Sequence, residues 1–322
     1  MTITEPGIYE IPEAEYHADP CPVPSLSASI AKVLLNESPR HAWTAHPRLN
    51  PNQELKVKDI FDLGSCAHSL MLGSDSQIEV IEADDWRTKD AKAKRDAARA
   101  ACNIPVLTKN MVEIEAMVIA AQAQLKGHKD ASNAFTDGRP ERMAVWQEET
   151  AYGPVWCRAL VDWLPNDKKA DLWDYKTTGT SANPDTFQRQ VFELGMDFQA
   201  SFYARGLRKI GAWDGQHFCF VVQENKPPFA LSVIGLGPDA LALANRKVDR
   251  ALAQWAWCLT NDTWAGYPNE TAWVNIPVYH ELRWSDREAR EELQVTTADV
   301  NEAEIIFKGL VDWQAPLKEE SK

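Results

Sequence analysis

The chain has 322 residues, room for two domains at ~150 residues each or for one large elaborated domain. Apolar residues make up 44% and charged residues 25%, the mix of a globular protein, which excludes bulk disorder, collagen and coiled coil. With 34 Lys+Arg against 47 Asp+Glu the net charge is −13. That excludes a protein that coats a nucleic-acid backbone, but not an enzyme that confines its positive field to one groove and lets metal ions supply the rest.

Residues 1–24 are rich in proline and acid and are expected to form an extended arm on the surface. Their acidic start lacks the basic, apolar pattern of a secretory signal, and nowhere do ~18 apolar residues run together. The expected location is the cytoplasm (of the host cell, if phage-encoded), without membrane contact. The segment from Ser25 predicts a helix with Ser25 or Ser27 as N-cap and Ile30, Val33 and Leu34 as its buried stripe, ending before Ser38-Pro39. After a polar stretch, Ile60–Gly73 predicts a second helix, with Gly64 and Ala67 allowing close packing and Gly73 stopping it. Residues 84–102 predict an Ala-rich helix of different character: from Asp85 to Ala100 there are six Lys/Arg and three Asp, a local reversal of sign. Residues 108–126 predict an amphipathic helix carrying Met111, Ile114, Met117, Val118 and Leu125.

After residue 140 the period becomes alternating. Strands are expected at 143–150, 155–164 and 170–177, with turns at Tyr152-Gly153-Pro154 and at 165–169. A long helical region follows at 183–210, then a hairpin from 216–223 and 230–236, then a Trp-bearing helix at 238–258. Residues 281–322 are acidic. The domain reading is an arm at 1–24, a main domain at 25–265 (helical part 25–135, sheet core 140–262) and an acidic extension at 266–322. The six cysteines form no CxxC pair, which argues against zinc ribbons and iron–sulfur clusters and for reduced, mostly buried thiols. Most of the 13 tryptophans are expected in the core.

The chemistry is concentrated in 155–178, VWCRALVDWLPNDKKADLWDYKTT. Side chains alternate along a strand, so Arg158 and Asp162 share one face of the first strand, and Asp174 and Lys176 share one face of the second. A hairpin turning near Asp167–Lys168 places Asp162 beside residues 172–174. Two converging carboxylates repel unless a cation lies between them, and hard oxygen ligands favour Mg²⁺ or Mn²⁺. Lys176 would then reach the attacking water or the scissile phosphate. Asp-x-Lys alone is also compatible with an ordinary exposed hairpin; the Asp twelve residues earlier, on the paired strand and in register, favours the metal site.

The pattern D-(x11)-D-Y-K-T resembles the core of PD-(D/E)xK nucleases, and more closely the RecB-type branch and its phage exonuclease VIII (RecE-like) relatives. Three further segments match: Gly64-Ser-Cys-Ala-His68, Gln199-Ala-Ser-Phe-Tyr203, and Ser25-Leu-Ser-Ala-Ser with Ser38-Pro39-Arg-His-Ala-Trp43. The resemblance spans roughly residues 7–262. It implies an α/β restriction-endonuclease-like core, a central mixed sheet flanked by helices, with an N-terminal helical region. It implies that His68, Asp162, Asp174 and the Tyr175 carbonyl hold metal, that Lys176 and Gln199 serve catalysis, and that the reaction is exonucleolytic hydrolysis at double-stranded DNA ends. A single-strand annealing partner, a ring-shaped homo-oligomer and a role in phage-type recombination also follow from it by analogy.

Other roles stay open at this level. His68 is a metal ligand or a satisfied helix histidine. Tyr203 stands behind Gln199 or on DNA, and Arg158 contacts phosphate or neutralises nearby acid. Lys92, Lys94 and Arg95 form a DNA clamp or a solvated helix face. Trp86 and Trp173 are candidates to stack on an unpaired base, and Glu141 and Glu148 have no assigned role. A CRISPR-associated RecB-type nuclease is disfavoured by the cysteine spacing, and a DNA-binding or assembly protein on a retired nuclease fold by the presence of Asp162, Asp174 and Lys176.

Overall fold

The computed structural model describes residues 2–52, 59–74 and 77–297. The chain begins with strand β1 (Gly7–Tyr9), helix α1 (Glu13–His17), strand β2 (Leu26–Ser27) and helices α2 (Ala28–Asn36), α3 (Pro39–Ala45) and α4 (Asp59–Leu72). Next come strand β3 (Ile78–Ile81), helix α5 (Lys89–Ala100), strand β4 (Ile104–Leu107) and helix α6 (Thr108–Lys126). The alternating region gives β5 (Gly138–Thr150), β6 (Gly153–Pro165) and β7 (Leu172–Thr178), then helices α7 (Pro184–Glu193) and α8 (Met196–Lys209). Strands β8 (Phe218–Glu224) and β9 (Leu231–Gly235) and helix α9 (Pro238–Asn261) complete a first unit, residues 1–267. The second unit, residues 268–322, contains helix α10 (Val278–Thr297); the acidic end from residue 298 lies outside the described residues.

The main sheet is mixed, in the order β1-β5-β6-β7-β8-β9, with β2 added to β6. Pairs β1–β5, β5–β6, β6–β7 and β8–β9 are antiparallel; β2–β6 and β7–β8 are parallel. The parallel β7–β8 pair requires a crossover, supplied by α7 and α8. On one face, residues of α2, α8 and α9 share a core with Ala159, Val161, Leu172 and Phe220. On the other, residues of α4 and α6 pack on Trp163, Trp173, Tyr175 and Val221. No helix among the described residues is long and apolar enough to cross a membrane.

Several local signals act as expected. The Ser27 side chain accepts from the Ile30 N–H at the start of α2, and Gly73, at φ +62°, follows the last turn of α4. Ser38-Pro39 ends one helix and caps the next, since Ser38 accepts from the His41 N–H while Pro39 occupies the first turn of α3.

Three expectations need correction. The first 24 residues are not an extended surface arm. β1 adds to the sheet edge, and Ile3, Tyr16, Asp19 and Cys21 are buried. The helical region at 183–210 is two helices, broken at Gly195, whose φ of +65° lies in the left-handed region. Residues 78–81 and 104–107 form a small parallel sheet that four-residue strands did not announce.

Candidate active site

β6 and β7 are registered only at Trp163↔Trp173. Beyond that pair the strands part, and one residue further along each lie Asp162 and Asp174. The Asp162 carboxylate fills the opening: its Oδ2 accepts the Tyr175 N–H at 3.1 Å. In an extended strand the N–H and C=O of one residue point the same way, so the Tyr175 carbonyl also faces the opening toward β6.

His68 reaches in from α4, its Nε2 2.9 Å from Asp162 Oδ2 and its Nδ1 3.6 Å from Glu141 Oε1. Lys176 lies against Asp174 Oδ1 and 3.9 Å from Asp162 Oδ2. From α8, Gln199 Nε2 donates to Asp174 Oδ2 at 2.5 Å. Asp174 is 1% exposed, and the Lys176 ammonium stands against its Oδ1.

The electrostatics follow from crowding two acids in a dry place. Burial, then the Asp162 charge, pushes the Asp174 carboxyl well above the usual carboxylate range. Burial acts the same way on Asp162, but the His68 and Lys176 charges outweigh it and hold Asp162 below that range. Burial alone would lower the His68 pKa; Asp162, with help from Glu141, instead raises it to about 10. Lys176 is raised by Asp174 and Asp162 against the cost of burial.

Glu141, named from the sequence without a role, joins the site. It falls between the registered pairs Pro140↔Trp163 and Arg142↔Val161, opposite Asp162, with φ at +50°. A non-glycine residue held there costs about 1–3 kcal/mol, and here the distortion accompanies a carboxylate placed beside His68. A strand pattern carries no sign of such a backbone.

Two assigned DNA contacts are corrected. Arg158 is 3% exposed; its Nη1 donates to the Ser25 carbonyl at 2.8 Å and to Ser25 Oγ at 2.7 Å, and lies 3.3 Å from Asp19 Oδ1. It neutralises buried acid and ties the N-terminal segment to β6. Asp19 also accepts from the Ser25 N–H and meets His46 Nε2 at 3.3 Å. Burial would raise its pKa, but these partners hold it below the ordinary carboxylate value. Arg158→Ala is therefore expected to lower unfolding free energy by about 3–5 kcal/mol, read from denaturant midpoints, because it strands a buried carboxylate. Weaker DNA binding at unchanged stability would restore the phosphate reading.

Tyr203 is buried on α8 with its ring against Phe218, the placement behind Gln199 rather than on DNA. Trp173 is buried in the core under α4 and α6 and cannot stack on a base. Trp86 is half-buried with Arg95 over its ring. Lys92, Lys94 and Arg95 lie on α5, away from this cluster in sequence and in element; Lys94 pairs with Asp90 and Arg95 with Asp96. Glu148 is buried and bound by Arg205, Lys209 and the Trp146 indole N–H, a structural role.

Among the described residues no three His, Cys, Asp or Glu stand together as a ready metal cage. His68 is paired with Asp162, and Lys176 with Asp174. The chemistry of the donors nevertheless fits: a buried carboxylate with a raised pKa and a half-buried one face one opening together with a backbone carbonyl and an imidazole. A cation there would offset the burial and the repulsion that raise the Asp174 pKa.

A mixed sheet whose diverging strands present Asp162 and Asp-x-Lys to a helix histidine and a helix glutamine is a PD-(D/E)xK-type core. Residues 27–275 match the family model described as a PDDEXK-like domain of unknown function, and the chain belongs to that family. The crystal structure of "Putative exonuclease" from Eubacterium rectale is similar in fold, at 12% identity and a TM-score of 0.51 over 83% of this chain and 94% of that one. A structure of SSO0001 aligns at 12% identity and a TM-score of 0.26, over 61% of this chain and 86% of that one, too low to carry an argument. The same holds for Rai1 of Scheffersomyces stipitis, at 11% identity and a TM-score of 0.25 over 72% of this chain and 64% of that one. No curated protein matches the chain.

Proposed function

We propose that this protein is a Mg²⁺- or Mn²⁺-dependent deoxyribonuclease that hydrolyses phosphodiesters from duplex ends. The observation that carries the proposal is the convergence of His68, Asp162, Asp174, Lys176 and Gln199, from four separate elements, on one opening in the sheet. The preference for ends rests on the RecB-type resemblance and on the name of the Eubacterium rectale neighbour.

Asp162, Asp174 and the Tyr175 carbonyl would hold the metal, joined by His68 once it has released the proton that Asp162 and Glu141 stabilise. When bound, the metal supplies positive charge to the phosphate oxygens and makes water more acidic. Gln199 fixes the plane of the Asp174 carboxylate. Lys176, freed from Asp174, is placed to orient the attacking water and stabilise the charge that develops on phosphorus oxygens. The same reading includes a single-strand annealing partner, a ring-shaped assembly and a role in phage-type recombination, in the cytoplasm.

Helix α5 is part of the proposal as a DNA clamp. Lys92, Lys94 and Arg95 lie on an α-helix whose exposed i,i+4 pairing can exchange for phosphate at little cost. Reversing all three charges is expected to weaken duplex binding and to flatten the dependence of log K on log salt by about one unit per lost phosphate contact. An unchanged slope assigns α5 to an ordinary solvated face.

The activity itself is tested with end-labelled linear and covalently closed circular duplex, each with Mg²⁺ or EDTA. Degradation of the linear form alone, abolished by EDTA, is expected.

A further inference from the structure

One cation beside the site belongs to none of the motifs. Lys32, on α2, runs across Gly195 at the break between α7 and α8 and donates from Nζ to the Leu194 carbonyl at 3.1 Å. At Gly195 a Cβ would fall on the Lys32 stem, and φ is +65°. The Gly195 carbonyl accepts from the Gln199 N–H, so Lys32 lies one helical turn from the glutamine that grips Asp174. The charges of Lys176 and of buried Asp174 both act on the ammonium.

Helix capping explains one of its three donors and no more. Lys32 makes no ion pair among the described residues. The neighbouring carboxylate, Asp197, is taken by Lys247 at 2.6 Å. Two of the ammonium's donors are thus left to meet an anion, one helical turn from Gln199. Gln199 links Asp174 to Gly195, and Lys32 lies across Gly195, so Lys32 flanks the site on the α8 side. It is beyond ion-pair distance of both carboxylates, so the anion it meets is not the one held between them.

We propose that Lys32 binds the backbone phosphate next to the scissile one, on the α8 side, and so fixes the register of the DNA strand. This rests on the nuclease reading above. Gly195 is the lane that lets the lysine reach it.

The test combines Lys32→Met and Lys32→Arg with duplexes carrying one neutral methylphosphonate at successive positions near the cleaved bond. Binding is read by anisotropy in Ca²⁺ before product forms, and cleavage by single turnover in Mg²⁺. In the wild type, one neutral linkage beside the scissile phosphate is expected to weaken binding about tenfold or more. Lys32→Met should show that loss on ordinary DNA and no further loss at that linkage, with losses elsewhere as in the wild type. Lys32→Arg, which keeps charge and helix contact, should recover most of the affinity. A wild type indifferent to every neighbouring neutral phosphate overturns the proposal even if Lys32→Met does not fold. So does a Lys32→Met loss that adds equally at every position, which would mark a purely structural lysine. A wild type that neither binds nor cuts DNA removes the nuclease reading itself, whereas an active wild type with an unaffected Lys32→Met removes only this inference.

Discussion

Lys176→Arg and Lys176→Ala are both expected to lower single-turnover DNA cleavage by at least ~100-fold, the scale for removing one preorganised donor to developing charge. Two roles for the lysine give different outcomes. If it only attracted phosphate, arginine would keep the charge and much of the rate. The Lys176 ammonium, however, is held against Asp174 and 3.9 Å from Asp162. A planar guanidinium needs more width and presents its donors in a fixed fork. Metal and DNA binding should change little, since Asp162, Asp174 and His68 remain. A Lys176→Ala enzyme within a few-fold of wild type would show that Asp-Tyr-Lys does not carry the chemistry.

Asp174→Asn is expected to lose metal affinity and cleavage together, by ~100-fold or more, while the protein stays folded. The amide can keep the Gln199 contact through its oxygen, and Lys176 retains Asp162. The sign of the stability change follows from linkage. A carboxyl whose pKa is raised on folding costs stability at all pH above its unfolded value, so removing it at neutral pH should leave the thermal midpoint unchanged or higher. Loss of cleavage with a collapsed midpoint would mean that Asp174 is a packing residue. Loss of cleavage with full metal affinity would move the metal elsewhere.

How much of this could be read from residues alone varies with the physics. The β6–β7 hairpin was legible because alternation and a polar turn fix which faces meet. Asp162 was expected beside residues 172–174, and the pair Trp163↔Trp173 places it opposite Asp174. The sheet and its flanking helices were legible for the same reason, as was α6, whose apolar stripe is regular over its length. Arg158 shows the limit of alternation: it gives a face but not what covers that face, and here the N-terminal segment does. The break at Gly195 was invisible because a lone glycine is tolerated in a helix; its left-handed backbone lies against the Lys32 stem, 163 positions away in sequence. Glu141 was placed but not understood, since its approach to His68 depends on a left-handed backbone inside a strand. Short strands β1, β3 and β4 lacked the length for a pattern.

Asp162, Asp174, His68 and Lys176 are expected to cleave DNA with a divalent metal. The most direct measurement is a time course on end-labelled linear duplex and covalently closed circles, with wild type and Asp174→Asn side by side, in Mg²⁺, Mn²⁺ or EDTA. The account predicts loss of the linear duplex with the wild type in Mg²⁺ or Mn²⁺, no loss in EDTA or with Asp174→Asn, and intact circles throughout. Cleavage that persists in EDTA, or at an equal rate with Asp174→Asn, would contradict it.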